Sequence, residues 1–232
     1  LAISMAPFSV FMRAVAFDIS AACAGFIFAM NIVEGFFKAG IYKTALIIGA
    51  ETLSKVTDWS DRGTCVLFGD GAGAAVLKAE ETGIIDMMMG ADGTKGDVLA
   101  CTSRTVGNFL TGTKPELGFM TMDGQEVFKF AVRKVPESVM ELLQRTGTKK
   151  EDIKYYVLHQ ANERIIEAAA RRLKEPMEKF PMTIGQFGNT STASIPLLLD
   201  DMIRKDMLKR GDKIIMSGFG AGMTWGAVLM EW

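Results

Sequence analysis

The chain has 232 residues, 49% of them hydrophobic and 23% charged, with a net charge of −1 at neutral pH. That is globular composition, long enough for one large domain or two small ones, with no case for binding nucleic acid or an anionic membrane. Three Cys, at positions 23, 65 and 101 with no close pair, argue against a disulfide framework and a zinc site and fit a reducing, cytoplasmic setting; no apolar run reaches membrane length.

Leu1 to Arg13 is apolar without turn chemistry, and an N-terminal portion is expected to precede it. Val15 to Ile19 reads as a short buried strand. Ala24 to Lys38 has apolar residues at helical spacing (Phe26, Ile27, Met30, Val33, Phe37) and ends at Ala39-Gly40. Thr44 to Gly49 is a buried strand. Thr64 to Phe68 and Ala74 to Lys78 read as strands around the turn Gly69-Asp70-Gly71-Ala72-Gly73. That turn lacks the Lys-Ser/Thr of a phosphate loop and is structural. Gly83 to Met89 is a further strand, and Ala91 to Leu117 a long surface excursion. A helix from Asp123 or Gly124 reaches Val135. Pro136 follows, and a second helix reaches Arg145. Tyr155 to Leu158 is a strand, Asn162 to Leu173 a periodic helix, and Thr192 to Leu208 a helix with Pro196 in its first turn. Strand Lys213 to Ser217, the tight loop Gly218-Phe219-Gly220-Ala221-Gly222 and strand Thr224 to Met230 close the chain. The order helix, Gly, strand, loop, strand occurs twice, at Ala24 to Lys78 and Thr192 to Trp232. This predicts a duplicated α/β unit.

Cys23 sits where a strand turns into a helix, among Ala21, Ala22, Ala24 and Gly25. Free amides and the positive end of the helix dipole favour a thiolate there, which predicts a lowered pKa; a buried structural cysteine is the alternative. His159 is the only histidine and ends a strand, where sites in α/β sheets collect. It is a general acid–base candidate or a structural histidine. Asn189, in Gly188-Asn189-Thr190-Ser191, is a helix cap or an amide donor. The glycine loop at 218–222 offers oxyanion amides or a plain connection. Arg164, Arg171 and Arg172 follow His159 on one helix, as a solvated face or a patch for an acidic partner.

As an ordered set, six motifs resemble those of the β-ketoacyl-acyl carrier protein synthase III family, the condensing enzymes that start type II fatty acid synthesis. They are Asp18-Ile19-Ser20-Ala21-Ala22-Cys23-Ala24-Gly25-Phe26, Asp61-Arg62-Gly63-Thr64, Phe68-Gly69-Asp70-Gly71-Ala72-Gly73-Ala74, His159-Gln160-Ala161-Asn162, Gly188-Asn189-Thr190-Ser191 and Gly218-Phe219-Gly220-Ala221-Gly222. The resemblance runs from Ala14 to Trp232. It implies an α/β, thiolase-like, duplicated αβαβα layered fold with its first half incomplete. Residues 1–80 would hold the remainder of the N-terminal half and 81–232 the C-terminal half, in a homodimer. Cys23 matches the acylated nucleophile, and His159 and Asn189 the pair that drives condensation. The amides of Cys23 and Ala221 match the oxyanion hole. Arg62 and Asn162 match coenzyme A contacts. Leu53, Phe68, Phe128 and Phe219 match the substrate pocket. Lys129, Arg164, Arg171 and Arg172 match the carrier-protein patch. The implied partners are an acyl-coenzyme A and malonyl acyl carrier protein, with no cofactor and no metal.

One histidine separates the chain from the elongating condensing enzymes, which use two. Gly222-Met223-Thr224 lacks the second Cys that thiolases place there. Polyketide-type synthases share Cys-His-Asn and remain an alternative. The family's first strands and helices, on the order of a quarter to a third of such a chain, are absent, and Leu1 to Arg13 does not match it. A non-catalytic remnant that pairs with a full-length subunit is therefore a second alternative.

Overall fold

A computed structural model describes residues 14–101, 107–114 and 118–232; Leu1 to Arg13 and parts of the Ala91 to Leu117 excursion lie outside the described residues. In chain order the elements are α1 (Gly25–Lys38), β1 (Thr44–Glu51), β2 (Gly71–Lys78), β3 (Ile84–Ala91), β4 (Leu99–Cys101), β5 (Met120–Met122), α2 (Gly124–Thr146), β6 (Ile153–Leu158), α3 (Glu163–Leu173), α4 (Ile184–Phe187), α5 (Ser194–Arg204), β7 (Lys213–Gly220) and β8 (Thr224–Glu231).

Two sheets carry the fold. β1 and β2 form an antiparallel pair, and the larger sheet has the order β3-β8-β7-β6, with only β6–β7 parallel. Alternation along β7 shows why this sheet is covered on both faces. Ile214 and Met216 pack with Phe26, Ile27 and Met30 of α1 and with Ile195 and Leu198 of α5. Ile215 and Phe219 pack with α2 and α3 through Phe130, Val139, Ile166 and Ala169. Ile47 of β1 joins the first cluster, so α1 and α5 lie between the sheets. The described residues thus stack in four layers: β1–β2, α1 with α5, the four-stranded sheet, then α2 with α3. The other face of β1–β2 exposes Leu46, Ile48 and Val76.

Several sequence expectations need correction. Residues 14–20 form neither strand nor helix, and Val15 and Phe17 are 68% and 57% exposed. A strand needs a hydrogen-bonded neighbour, and no described strand pairs with this segment. Thr64 to Phe68 is a series of turns; only Phe68 bridges, to Asn189. The supposed glycine turn largely belongs to β2. Its glycines permit close packing, since a Cβ on Gly73 would lie 3.0 Å from Pro196 of α5. The excursion after Ala91 is not all irregular, because β4 pairs with β5. Likewise Gly218 to Gly220 continue β7, and α5 ends at Arg204 rather than Leu208.

Pro136 does not divide the helix: α2 runs unbroken through it. Proline removes the N–H that would satisfy the carbonyl four residues back. Arg172 of α3 donates to that carbonyl, Val132 O, at 3.4 Å. The helix ends are conventional. The Asp123 carboxylate accepts from the amides of Gln125 and Glu126, and Gly147 terminates the helix at φ 66°.

Candidate active site

Cys23 lies in a single 3-10 turn, Ala22–Ala24, that leads into α1. Two threonines from elsewhere in the chain pin this turn. The Thr192 hydroxyl donates to Ala22 O at 2.8 Å, and the Thr224 hydroxyl to Ala21 O at 3.1 Å. Ala22 is held at φ 45°, a left-handed conformation that alanine adopts only when its surroundings impose it. The end of β7 lies directly on the turn. A Cβ on Gly220 would approach Cys23 N to 2.6 Å, so only glycine fits there.

The thiol is buried, and that decides its protonation. Burial pushes Cys23 up to about 11, against a hydrogen bond from Ser191 that pulls down; the Glu51 carboxylate adds to the rise. Burial therefore works against the lowering expected from the helix start, because desolvation disfavours the thiolate.

His159 follows the last residue of β6, and its backbone N–H donates to Ser217 O of β7 at 2.8 Å. Its Nδ1 meets the Ser194 hydroxyl at 2.6 Å, while Nε2 is buried with no partner. The Phe219 ring packs edge-on against the imidazole at 5.5 Å. Burial holds His159 down to about 3, so the ring is neutral.

Asn189 is buried at the chain reversal before α5. Its Oδ1 accepts from the Ser191 amide at 2.9 Å, with Ser191 at φ 50°. The carbonyl end is thereby occupied, and the Nδ2 amide is the end left to donate. Thus the turn at Gly188 to Ser194 is more than a helix cap: it orients Asn189, supplies Ser194 to His159, and supplies Thr192 to the nucleophile turn.

Cys23, His159 and Asn189 line one cavity of about 200 Å³. Phe68, Phe128, Asn162, Phe219 and Gly220 line it too, with Leu67, Leu99, Met122, Val127 and Ile165 as further apolar wall. Leu53 and Ala221 are not among the lining residues. Arg62 is exposed on the turn beside the lining residue Gly63. Asn162 also caps α3, accepting from the Arg164 amide at 2.9 Å. Lys129, Arg164, Arg171 and Arg172 are exposed on α2 and α3. Lys129 pairs with Glu126 at 2.8 Å and Arg171 with Glu167 at 3.6 Å.

Sequence reasoning missed Thr192, Ser194 and Thr224 as supports of the site. For Thr192 and Ser194 the available signal was the density of hydroxyl residues after Asn189, which a helix cap already explained; Thr224 carried none. Among the described residues no group of three or more His, Cys, Asp or Glu could hold a metal ion, and no helix is long and apolar enough to cross a membrane.

A family model described as 3-oxoacyl-[acyl-carrier-protein] synthase III matches residues 17–93, and one for the C-terminal part of the same synthase matches residues 143–232. The β-ketoacyl-[acyl-carrier-protein] synthase III of Clostridium novyi is 52% identical over 222 residues, 95% of this chain and 68% of that one. The chain belongs to the β-ketoacyl-acyl carrier protein synthase III family. The namesake from Clostridium acetobutylicum is 50% identical over the same shares of each chain. The crystal structure of the synthase III of Aquifex aeolicus, 44% identical, superposes with a TM-score of 0.87 over 97% of this chain and 70% of that one. The mixed α/β architecture is therefore the thiolase-like fold of this family.

Proposed function

We propose that the chain is an acyltransferase that condenses an acyl-coenzyme A primer, acetyl-coenzyme A foremost, with malonyl acyl carrier protein and so initiates fatty acid synthesis. The observation that carries this reading is the meeting of Cys23, His159 and Asn189 in one largely apolar cavity.

The Cys23 sulfur attacks the thioester carbonyl of the primer. A new C–S bond forms, the bond to coenzyme A breaks, and the thiol proton leaves with the coenzyme A sulfur. Amides of Cys23 and Ala221 hold the oxyanion of the tetrahedral intermediate. Malonyl carrier protein then loses carbon dioxide, and the electron pair of the broken C–C bond moves into an enolate. Neutral His159 and the Asn189 amide donate to the enolate oxygen. The enolate carbon attacks the acyl group, the Cys23 thiolate leaves and takes a proton from solvent, and β-ketoacyl carrier protein departs. No metal or redox cofactor enters these steps.

Arg62 and Asn162 would contact coenzyme A, and Phe68, Phe128 and Phe219, which line the cavity, would shape the acyl site; Leu53, assigned there by the family resemblance, does not line it. Lys129, Arg164, Arg171 and Arg172 would receive the acidic carrier protein. The two halves would divide at residue 80, in a cytoplasmic homodimer.

Intact mass after incubation with acetyl-coenzyme A tests the first step. An acetyl adduct on the wild type but not on Cys23→Ser is the expected result. Folded protein that takes no adduct would refute activity of this chain by itself. A preference for long or branched primers would instead point to a polyketide-type role.

A further inference from the structure

We propose that Ser194 is a positioning residue that sets the tautomer of His159, placing the ring proton on Nε2, the nitrogen that no protein group occupies among the described residues. The argument is a count of buried donors and acceptors. The Ser194 hydroxyl has two partners, His159 Nδ1 at 2.6 Å and the Gln160 amide at 3.3 Å. The amide can only donate, so it occupies a lone pair of the hydroxyl oxygen. The hydroxyl proton then has one acceptor among the described residues, the Nδ1 lone pair. With Nδ1 accepting, a neutral ring must carry its proton on Nε2.

The opposite tautomer is worse by one group. If Nδ1–H donated to Ser194, that oxygen would accept twice and its own proton would have no acceptor. Ser194 is 2% exposed, so water does not supply one. Nε2 would also become a buried lone pair without a donor. In the favoured tautomer the only unpaired group of the pair among the described residues is Nε2–H, on a ring that lines the cavity with Cys23 and Asn189. The edge-on Phe219 ring and the backbone bond to Ser217 keep the imidazole plane in place. The tautomer assignment stands on this geometry alone. Its use, as a donor to an enolate oxygen, rests on the proposed condensation.

The chain has one histidine, so a protein labelled with ¹⁵N-histidine reports this ring with no assignment problem. Long-range proton–nitrogen correlations at neutral pH identify which nitrogen is protonated. The expected spectrum has Nε2 protonated and Nδ1 as a bare acceptor. In Ser194→Ala the selection is lost and both nitrogens move towards averaged shifts; Ser194→Thr, which keeps a hydroxyl, restores the wild-type pattern. A proton on Nδ1 in the wild type overturns the assignment, even if the alanine variant does not fold. An unchanged Nε2–H pattern in Ser194→Ala overturns the role of Ser194. Turnover of malonyl carrier protein by Ser194→Ala is expected to fall roughly tenfold, the scale of one lost hydrogen bond. The spectrum needs no substrate, so failure of the condensation reading would leave the tautomer result standing.

Discussion

Cys23 and His159 line one cavity from distant parts of the chain, and burial acts on both. It pushes the thiol up to about 11 and the imidazole down to about 3. Both groups are therefore uncharged near neutral pH, with opposite chemical meaning. A neutral imidazole is ready to donate a hydrogen bond, whereas a neutral thiol must still lose its proton before its sulfur is a good nucleophile. The difference lies in the local partners. His159 has a single hydroxyl on Nδ1, while Cys23 has Ser191 pulling one way and Glu51 the other. A desolvated cavity thus serves the two roles unequally.

Removing the imidazole breaks this comparison most sharply. His159→Ala is expected to slow condensation by about 10²–10³, the scale for one lost oxyanion donor, while the acetyl adduct on Cys23 still forms. Asn189→Ala should behave alike. Loss of the adduct in either variant, read by intact mass, would show that the two residues also serve the first step.

The two displaced pKa values also predict opposite limits of stability. His159 is held neutral when folded, at about 3 against 6.5 when unfolded. Between these values the unfolded chain binds more protons, so stability falls as pH drops through that window. Cys23 keeps its proton when folded up to about 11, against 9.0 when unfolded. The unfolded chain releases it first, so this contribution is lost as pH rises from about 9 to about 11. Denaturant midpoints across pH should flatten on the acid side in His159→Gln and on the alkaline side in Cys23→Ala. Curves parallel to wild type in both would refute the assignments.

A smaller effect is expected at the clamp on the nucleophile turn. Thr192→Val keeps the shape and removes one of the two donors to Ala22 O, leaving the Gly25 amide, which should cost at most about 1 kcal/mol in denaturant unfolding. Adduct formation at Cys23 should slow with it. The smallest effect separates the two readings of Arg172. Its guanidinium caps Val132 O opposite Pro136, so Arg172→Ala should lower the thermal midpoint slightly, less than Thr192→Val does. Arg164→Ala should leave the midpoint unchanged and weaken carrier-protein binding.

Much of this protein can be read from residue order alone. The 3.6-residue spacing of Phe26, Ile27 and Met30 marks the inner face of α1, and the family motifs single out Cys23, His159 and Asn189. Those are local signals, set by side-chain periodicity and by residue types at fixed spacing. What failed depended on partners far away in the chain. Val15 to Ile19 is apolar enough for a strand but has no described neighbour, and glycines that read as a turn let β2 lie against α5. Pro136 sits inside a continuous helix whose freed carbonyl is answered by Arg172, 40 residues on. The protonation of the site belongs to the same class. A helix start favours a thiolate by sequence, and only the burial of that start in tertiary packing works against it. Hydrogen bonds and desolvation depend on distance in space, and residue order does not encode which hydroxyl will stand 2.6 Å from His159.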